Sequence, residues 1–122
     1  MTSDVATWTP KPWGGELLLR RTDTYVVKVL HLHAGCRTSL QYHRVKRETM
    51  HLGSGRAVLE LHRDGWVEEE SLAMPVEILP GTVHRLVALE ECEVVEVSTT
   101  ELDDVVRVAD DFGRVDVACA FP

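Results

Sequence analysis

Apolar and polar positions alternate along most of this chain, in short segments that are separated by turn residues. Period-two alternation places successive side chains on opposite faces of an extended backbone, so these segments predict β-strands. The predicted strands are short and almost evenly spaced, covering residues 16–21, 25–33, 38–43, 48–52, 56–62, 66–70, 76–79, 83–89 and 94–98. Turn signals between them, such as Asp64-Gly65 and Pro80-Gly81, favour antiparallel connections. The pattern predicts a small all-β sandwich or barrel, with residues 101–108 open as a short helix or another strand.

Residues 1–13 precede the first long strand and are predicted to form an N-terminal arm, in which the polar residues 1–10 form either a loose segment or an edge strand. Pro10 and Pro12 exclude a helix there, while Trp8 and Trp13 add large apolar surface. Such surface usually packs on the body of the domain or on a second subunit. We expect the arm to pack across a second copy in a symmetric homodimer, and residues 1–122 to form one domain.

Composition and charge narrow the classes of partner. The 122 residues suffice for one domain with a hydrophobic core, and the net charge of −7 argues against binding to nucleic acid or to an anionic membrane. Three cysteines without a CxxC pair predict reduced thiols. The opening MTSDVATWTP is unlike a signal peptide, and no apolar run approaches the ~18 residues of a membrane span. We therefore expect a cytoplasmic protein whose partner is a small molecule.

Candidate metal ligands lie in and after the segment between residues 35 and 55. Period-two spacing places Gln41 and His43 on one face of a strand, and Glu48 opens the next apolar run. His84, shortly after the Pro80-Gly81 turn, adds a second imidazole. Two imidazoles and two oxygen donors suit a divalent transition metal, and Zn, Mn, Fe, Co and Ni all tolerate such mixed ligands. The sequence leaves the choice among these metals open.

The same residues carry a resemblance to a known family. Residues 35–55 resemble the first cupin motif, in the spacing Gly35-x5-Gln41-x-His43-x4-Glu48-x6-Gly55. Gln41 stands where that motif has its first histidine. The core of the second motif resembles Pro80-Gly81-x2-His84. With KPWG at residues 11–14 and the tail segments DDVVR and DDFGR, the chain resembles the cupin domain of type II mannose-6-phosphate isomerases from about Pro12 to Arg114.

That resemblance implies a jelly-roll β-barrel with a metal held by Gln41, His43, Glu48 and His84. In the family this domain often follows a mannose-1-phosphate guanylyltransferase domain. Because the resemblance fills nearly the whole chain, we expect a stand-alone cupin domain without that partner domain. The implied chemistry is aldose–ketose isomerisation of a sugar phosphate through an enediol.

Several side chains are candidates for proton transfer or for phosphate binding. We predict Glu96, Lys28 and His51, in that order, as the acid or base. Arg85, Arg107 and Lys28 are the candidates for the phosphate. Each has an ordinary alternative: Glu96 or Lys28 on an outer face, His51 facing solvent, and the arginines paired with nearby aspartates.

The chain departs from the family pattern around the motif, and this keeps other functions open. Arg44, Val45 and Thr49 replace residues that the family commonly writes as histidine. Such changes around the ligands alter what a metal site does. The alternatives are a metal-dependent tailoring cupin (a polyketide cyclase, dehydratase or oxygenase) and a non-catalytic sugar-binding or structural cupin. An apolar cavity would favour tailoring, whereas converging lysines and arginines would favour a phosphate.

Two histidines, His31 and His33, form an HxH pair outside the motif's ligand positions. We expect them to lie on the surface or on a dimer face.

Overall fold

The structure is a computed structural model, and it describes residues 6–114. The described range holds eleven strands and no helix, in two antiparallel sheets. In chain order the strands are β1 (Thr7–Lys11), β2 (Gly14–Arg21), β3 (Val26–Leu32), β4 (Leu40–Tyr42), β5 (Glu48–Ser54), β6 (Ala57–Arg63), β7 (Trp66–Ser71), β8 (Val76–Ile78), β9 (Val83–Ala88), β10 (Cys92–Ser98) and β11 (Val106–Ala109). This confirms the all-β prediction, and the segment left open at residues 101–108 contributes a strand.

The two sheets pack face to face around one main core. The first sheet has the order β1-β2-β3-β10-β5-β8, and the second has the order β11-β4-β9-β6-β7. Fully buried side chains come from both, including Leu32 and Val94 on the first sheet and Leu59 and Leu86 on the second. Removing such side chains from water is the main favourable contribution to folding. Among the described residues no helix is long and apolar enough to cross a membrane, and the cytoplasmic location stays a prediction.

The polar residues of interest lie at one end of this sandwich. Along β10, Cys92 and Val94 face the apolar core, whereas Glu96 and Ser98 continue the same inward face and are also buried. Glu48 begins the neighbouring strand β5 and pairs with Ser98. Buried carboxylates need partners. Buried polar side chains therefore occupy this end of the barrel, while apolar side chains fill the other end.

The N-terminal arm packs on its own chain, as the edge strand that the sequence left open. Residues of β1 pair with β2 as an edge strand, and Trp13 is 5% exposed within the core of its own chain. Trp8 lies against Gly15 but stays half exposed. The expectation that both tryptophans reach across a second copy is therefore wrong for Trp13, because the turn between β1 and β2 points it inward. The homodimer stays a prediction.

A glycine at the motif's end gives a direct test of this packing. Gly55 has φ of +76°, and a methyl group there would lie 2.1 Å from the carbonyl oxygen of Glu91. Gly55→Ala should therefore lower the free energy of unfolding by about 3 kcal/mol in urea denaturation. Gly65 has a similar φ of +84° but open space around it, so Gly65→Ala should cost only about 1 kcal/mol. Equal losses would contradict the close approach of the two chain segments.

Candidate metal centre

Three buried side chains meet at the polar end of the barrel, and we call His43, Glu48 and His84 the central site. Each residue is at most 2% exposed. Oε2 of Glu48 lies 2.6 Å from Nε2 of His43 and 3.4 Å from Nε2 of His84. Ligand atoms about 2.0 Å from one tetrahedral ion lie roughly 3.3 Å apart. The observed distances bracket that value, so these atoms could share one cation.

Backbone carbonyls orient both imidazoles. Nδ1 of His43 lies 2.6 Å from the carbonyl oxygen of Asp104, and Nδ1 of His84 lies 2.8 Å from that of Thr82. A carbonyl can only accept, so each Nδ1 donates its proton. In the neutral ring the lone pair is then on Nε2, the atom that faces Glu48. Hydrogen bonds of this kind fix the orientation and tautomer of metal-binding histidines.

The remaining atoms of the central site fit a divalent cation. Both Nε2 atoms and both oxygens of Glu48 are buried without a hydrogen-bond partner in the described part of the chain. Lone pairs pointing at one place repel each other, and burying them unsatisfied costs free energy. A shared cation or proton would remove that cost. The donor set of two imidazoles and a carboxylate is one that transition metals bind.

Contacts within the central site shift the pKa values of His43 and Glu48 in opposite directions. Burial acts to lower the pKa of His43, but its contact with Glu48 raises that pKa above the ordinary value. Burial acts to raise the pKa of Glu48, but its contacts with His43 and His84 hold that pKa well below the ordinary value. The site therefore attracts a positive charge next to Glu48, and protons compete with a metal for it.

Gln41, the fourth predicted ligand, lines the same cavity as His43 and His84. It lies on β4 opposite His84 on β9. Its Oε1 accepts a hydrogen bond from Oγ of Ser39 at 2.6 Å. An amide oxygen has two lone pairs, so one remains for a metal. Its role as a ligand stays a prediction.

A cavity of about 120 Å³ opens beside the central site. Glu96 is buried in its wall, with Oε2 located 3.2 Å from Nζ of Lys46. The same Nζ lies 3.6 Å from Oε1 of Glu48, so Lys46 bridges two buried carboxylates. Burial, together with the charge of Glu48, raises the pKa of Glu96 to about 7. This cavity places an ionisable carboxyl group and an ammonium group next to the central site.

Of the predicted catalytic residues, two line this cavity. Glu96 lines the cavity from the inward face of β10, and not from the outer face that was its ordinary alternative. Lys28 does so from β3 and forms an ion pair with Glu16 at 3.0 Å. His51 does not line the cavity: Met50 faces it, so period two points the neighbouring His51 to the outer face of β5.

Of the two arginines predicted to bind phosphate, one lines the cavity and the other does not. Arg107 lines the cavity. Arg85 does not line the cavity: His84 faces inward, so its neighbour Arg85 lies on the other face of β9. There it is buried, and its Nε donates to the carbonyl of Thr38 at 3.2 Å. Arg114 also reaches the cavity lining, where its Nε pairs with Asp110 at 2.8 Å.

Two residues of this site were not identified from the sequence. Lys46 lies two positions before Glu48, and the period-two rule could have placed both on one face. Asp104 fixes the loop before Glu48: its carboxylate accepts the backbone N–H groups of residues 44, 45 and 46 at 3.0, 2.7 and 2.8 Å. Despite some burial, these bonds lower the pKa of Asp104 to about 2. The same residue therefore holds the loop and, through its carbonyl, the His43 ring.

We expect Asp104→Asn to weaken Zn²⁺ binding by about 10- to 100-fold, because an amide cannot accept all three N–H bonds and the loop carrying Lys46 loosens. Zn²⁺ titration against a competing chelator measures this, with Asp103→Asn as the control at the exposed neighbouring position. The pKa of Asp104 in the folded chain lies below its ordinary 3.8. Its stabilising contribution is therefore present above about pH 4 and is lost as the pH falls towards about 2. A stability difference between wild type and Asp104→Asn that persists unchanged near pH 2 would contradict this role.

Comparison with known proteins agrees with this architecture, although no family model matches the chain. Over 112 residues it is 33% identical to mannose-1-phosphate guanylyltransferase of Escherichia coli K12, covering 86% of this chain. The chain spans only 23% of that relative's length.

Solved structures are similar in fold at low sequence identity. The capsular polysaccharide assembling protein CapF of Staphylococcus aureus has a TM-score of 0.72 at 19% identity, covering 84% of this chain and 34% of CapF. KdgF of a Halomonas species has a TM-score of 0.68 at 18% identity, covering 80% of this chain and 88% of KdgF. An RmlC-like cupin of Shewanella frigidimarina has a TM-score of 0.67 at 11% identity, covering 80% of this chain and 86% of that cupin. The chain is therefore a protein of the cupin fold, with a buried His-Glu-His group that could hold a metal.

Proposed function

We propose that this cupin is a metal-dependent aldose–ketose isomerase that acts on a sugar phosphate such as mannose 6-phosphate. One observation carries the proposal: a buried carboxyl group with a pKa of about 7, Glu96, lies in a cavity beside the central site and next to Lys46. Isomerisation through an enediol needs an electrophile and a group that exchanges protons near neutral pH. The likeness to a mannose-1-phosphate guanylyltransferase and to a capsular polysaccharide protein supports a sugar substrate.

His43, Glu48 and His84, with Gln41 as the predicted fourth ligand, would hold the ion. Bound there, a divalent metal would supply Lewis-acid polarisation of the sugar's carbonyl and hydroxyl oxygens. Glu96 would take the proton from C2 as the carboxylate and return it to C1 as the carboxylic acid, since its pKa of about 7 suits both steps. Lys46 would keep a positive charge beside the negative charge that develops on the substrate.

The cationic lining of the cavity supports an anionic substrate. Five basic side chains contribute to it: Lys11, Lys28, Lys46, Arg107 and Arg114. Three of them already have carboxylate partners: Lys28 pairs with Glu16, Lys46 with Glu48 and Glu96, and Arg114 with Asp110. A phosphate would have to share or replace such contacts. A guanidinium binds phosphate through paired hydrogen bonds, and for this reason we assign Arg107 to the phosphate.

A tailoring cupin, such as a polyketide cyclase, dehydratase or oxygenase, is the second candidate function. Its support is the apolar part of the cavity wall, formed by Trp13, Leu30, Met50, Leu86, Leu102 and Val105. An apolar wall of this extent suits the hydrophobic body of a biosynthetic intermediate. The convergence of basic side chains on the same small cavity favours the sugar phosphate over this alternative.

Proton exchange gives a sharp test of the isomerase. Zn²⁺- or Mn²⁺-loaded protein is incubated with mannose 6-phosphate or fructose 6-phosphate in D₂O, and both isomerisation and deuterium uptake at the carbon next to the carbonyl are followed by NMR. We expect both reactions, and we expect Glu96→Gln to slow them by about 100-fold or more. Substrate binding without exchange would instead support a non-catalytic sugar-binding cupin. Neither binding nor exchange with a set of aldose and ketose phosphates would contradict the proposal.

A further inference from the structure

A second group of metal-binding side chains lies on the outer face of the first sheet. His31 is on β3, His33 follows that strand directly, and Glu91 immediately precedes β10. One ligand atom from each lies within 4.8 Å of the others. Nε2 of His31 is 3.0 Å from Oε2 of Glu91, close to the roughly 3.3 Å expected between two ligands of one tetrahedral ion.

Strand geometry produces this grouping. Leu30 and Leu32 are buried in the core, so period two points His31 to the outer face. Backbone hydrogen bonds fix His33 on both sides: its N–H donates to the carbonyl of Trp13 at 2.9 Å, and its carbonyl accepts from Cys36 at 3.0 Å. These bonds fix the backbone at His33, so the strand and the turn after it set the points from which both imidazoles project.

We infer that His31, His33 and Glu91 form a surface site for a divalent transition metal such as Zn²⁺, Ni²⁺ or Cu²⁺. Two imidazoles select these ions over Ca²⁺ and Mg²⁺, which prefer oxygen ligands. Oε2 of Glu93 lies 3.7 Å from Nδ1 of His31, so a second carboxylate lies on the far side of that ring and adds negative charge beside the site. His33 and Glu91 are exposed, which leaves room for water to complete the coordination.

The surface site is independent of the central site and of the proposed isomerase. Glu96 lies five positions after Glu91, which is roughly 16 Å along an extended strand. The two groups also lie on opposite faces of the sheet. An ion at the surface site would join the end of β3 to the turn before β10, and would therefore stabilise the apolar end of the barrel.

Zn²⁺ stoichiometry tests the inference. Full-length protein is dialysed to equilibrium against micromolar free Zn²⁺ near neutral pH, and bound metal is counted by mass spectrometry. We expect His31→Ala/His33→Ala to bind one equivalent less than wild type, and Glu91→Gln to weaken that equivalent by about tenfold. His62→Ala is the matched control, because His62 also pairs with a glutamate, Glu60 at 3.1 Å, and should bind as wild type does.

Equal Zn²⁺ content in wild type and in His31→Ala/His33→Ala would overturn the surface site. The result does not depend on the central site, whose equivalent is removed separately by His43→Ala/His84→Ala. If the central double variant keeps one equivalent, which disappears when His31 and His33 are also replaced, the surface site stands by itself. Thermal denaturation in chelator checks that each variant is folded before its metal is counted.

Discussion

Replacing His43 and His84 together with alanine should abolish Zn²⁺ binding at the central site and reduce any isomerase turnover by at least about 100-fold. Both imidazoles present a lone pair on Nε2 to the same oxygen of Glu48, at 2.6 and 3.4 Å. Without them only Glu48 and the weaker amide donor Gln41 remain. Single Gln41→Ala should weaken binding less than either single histidine change, because a neutral carbonyl is the weakest of the four donors.

His51→Ala is the matched control for this experiment. His51 belongs to the same strand as Glu48 but lies on its outer face, away from the cavity. Metal content and turnover should therefore match wild type. The assignment of the central site is wrong if the double histidine variant keeps the equivalent of Zn²⁺ that wild type binds there, or if His51→Ala loses that equivalent.

Lys46→Met should destabilise the metal-free protein by about 3 kcal/mol, because it leaves two buried carboxylates without their shared cation. Lys46 is 6% exposed, and its Nζ lies 3.2 Å from Glu96 and 3.6 Å from Glu48. Arg47→Met is the control: Arg47 pairs with Glu77 at 3.0 Å, but both side chains are more than half exposed. Exposed pairs contribute little, so we expect at most about 1 kcal/mol there. Urea denaturation in chelator measures both losses, and equal losses would contradict the bridging role of Lys46.

The stability of the metal-free protein should also depend on pH, through the ionisation of Glu96. Its pKa in the folded chain is about 7, above the ordinary 4.5, so the folded chain holds more protons than the unfolded chain between these values. Stability of the metal-free protein should therefore fall as the pH rises from about 4.5 to about 7, and Glu96→Gln should lack this fall. Adding Glu96→Gln to Lys46→Met should restore part of the lost stability. Strict additivity of the two changes would show that the side chains do not interact.

The sequence predicted the strands and the central site because both depend on short-range spacing. Alternation and turn residues identify strands, and residues two apart share a face, so Gln41 and His43 were placed correctly on one face and both line the cavity. The same rule, applied consistently, would have pointed His51 and Arg85 away from the cavity, since each directly follows an inward residue. It would also have paired Lys46 with Glu48.

The remaining features depend on strand pairing, which alternation does not specify. Asp104 reaches the loop at residues 44–46 across about sixty positions of the chain. Glu96 comes beside Lys46 only because β10 lies next to β5 in the first sheet. Trp13 enters the core because β1 folds back on β2, whereas composition alone suggested an arm for a second subunit. Contacts of this kind need the order of strands in the sheets before they can be predicted.

The most direct test of the central claim is a crystal structure of Zn²⁺-loaded protein with an anomalous difference map collected at the zinc edge. We predict a strong peak about 2.0–2.3 Å from Nε2 of His43, from Nε2 of His84 and from a carboxylate oxygen of Glu48. A fully loaded crystal with no peak between these three side chains would contradict the account.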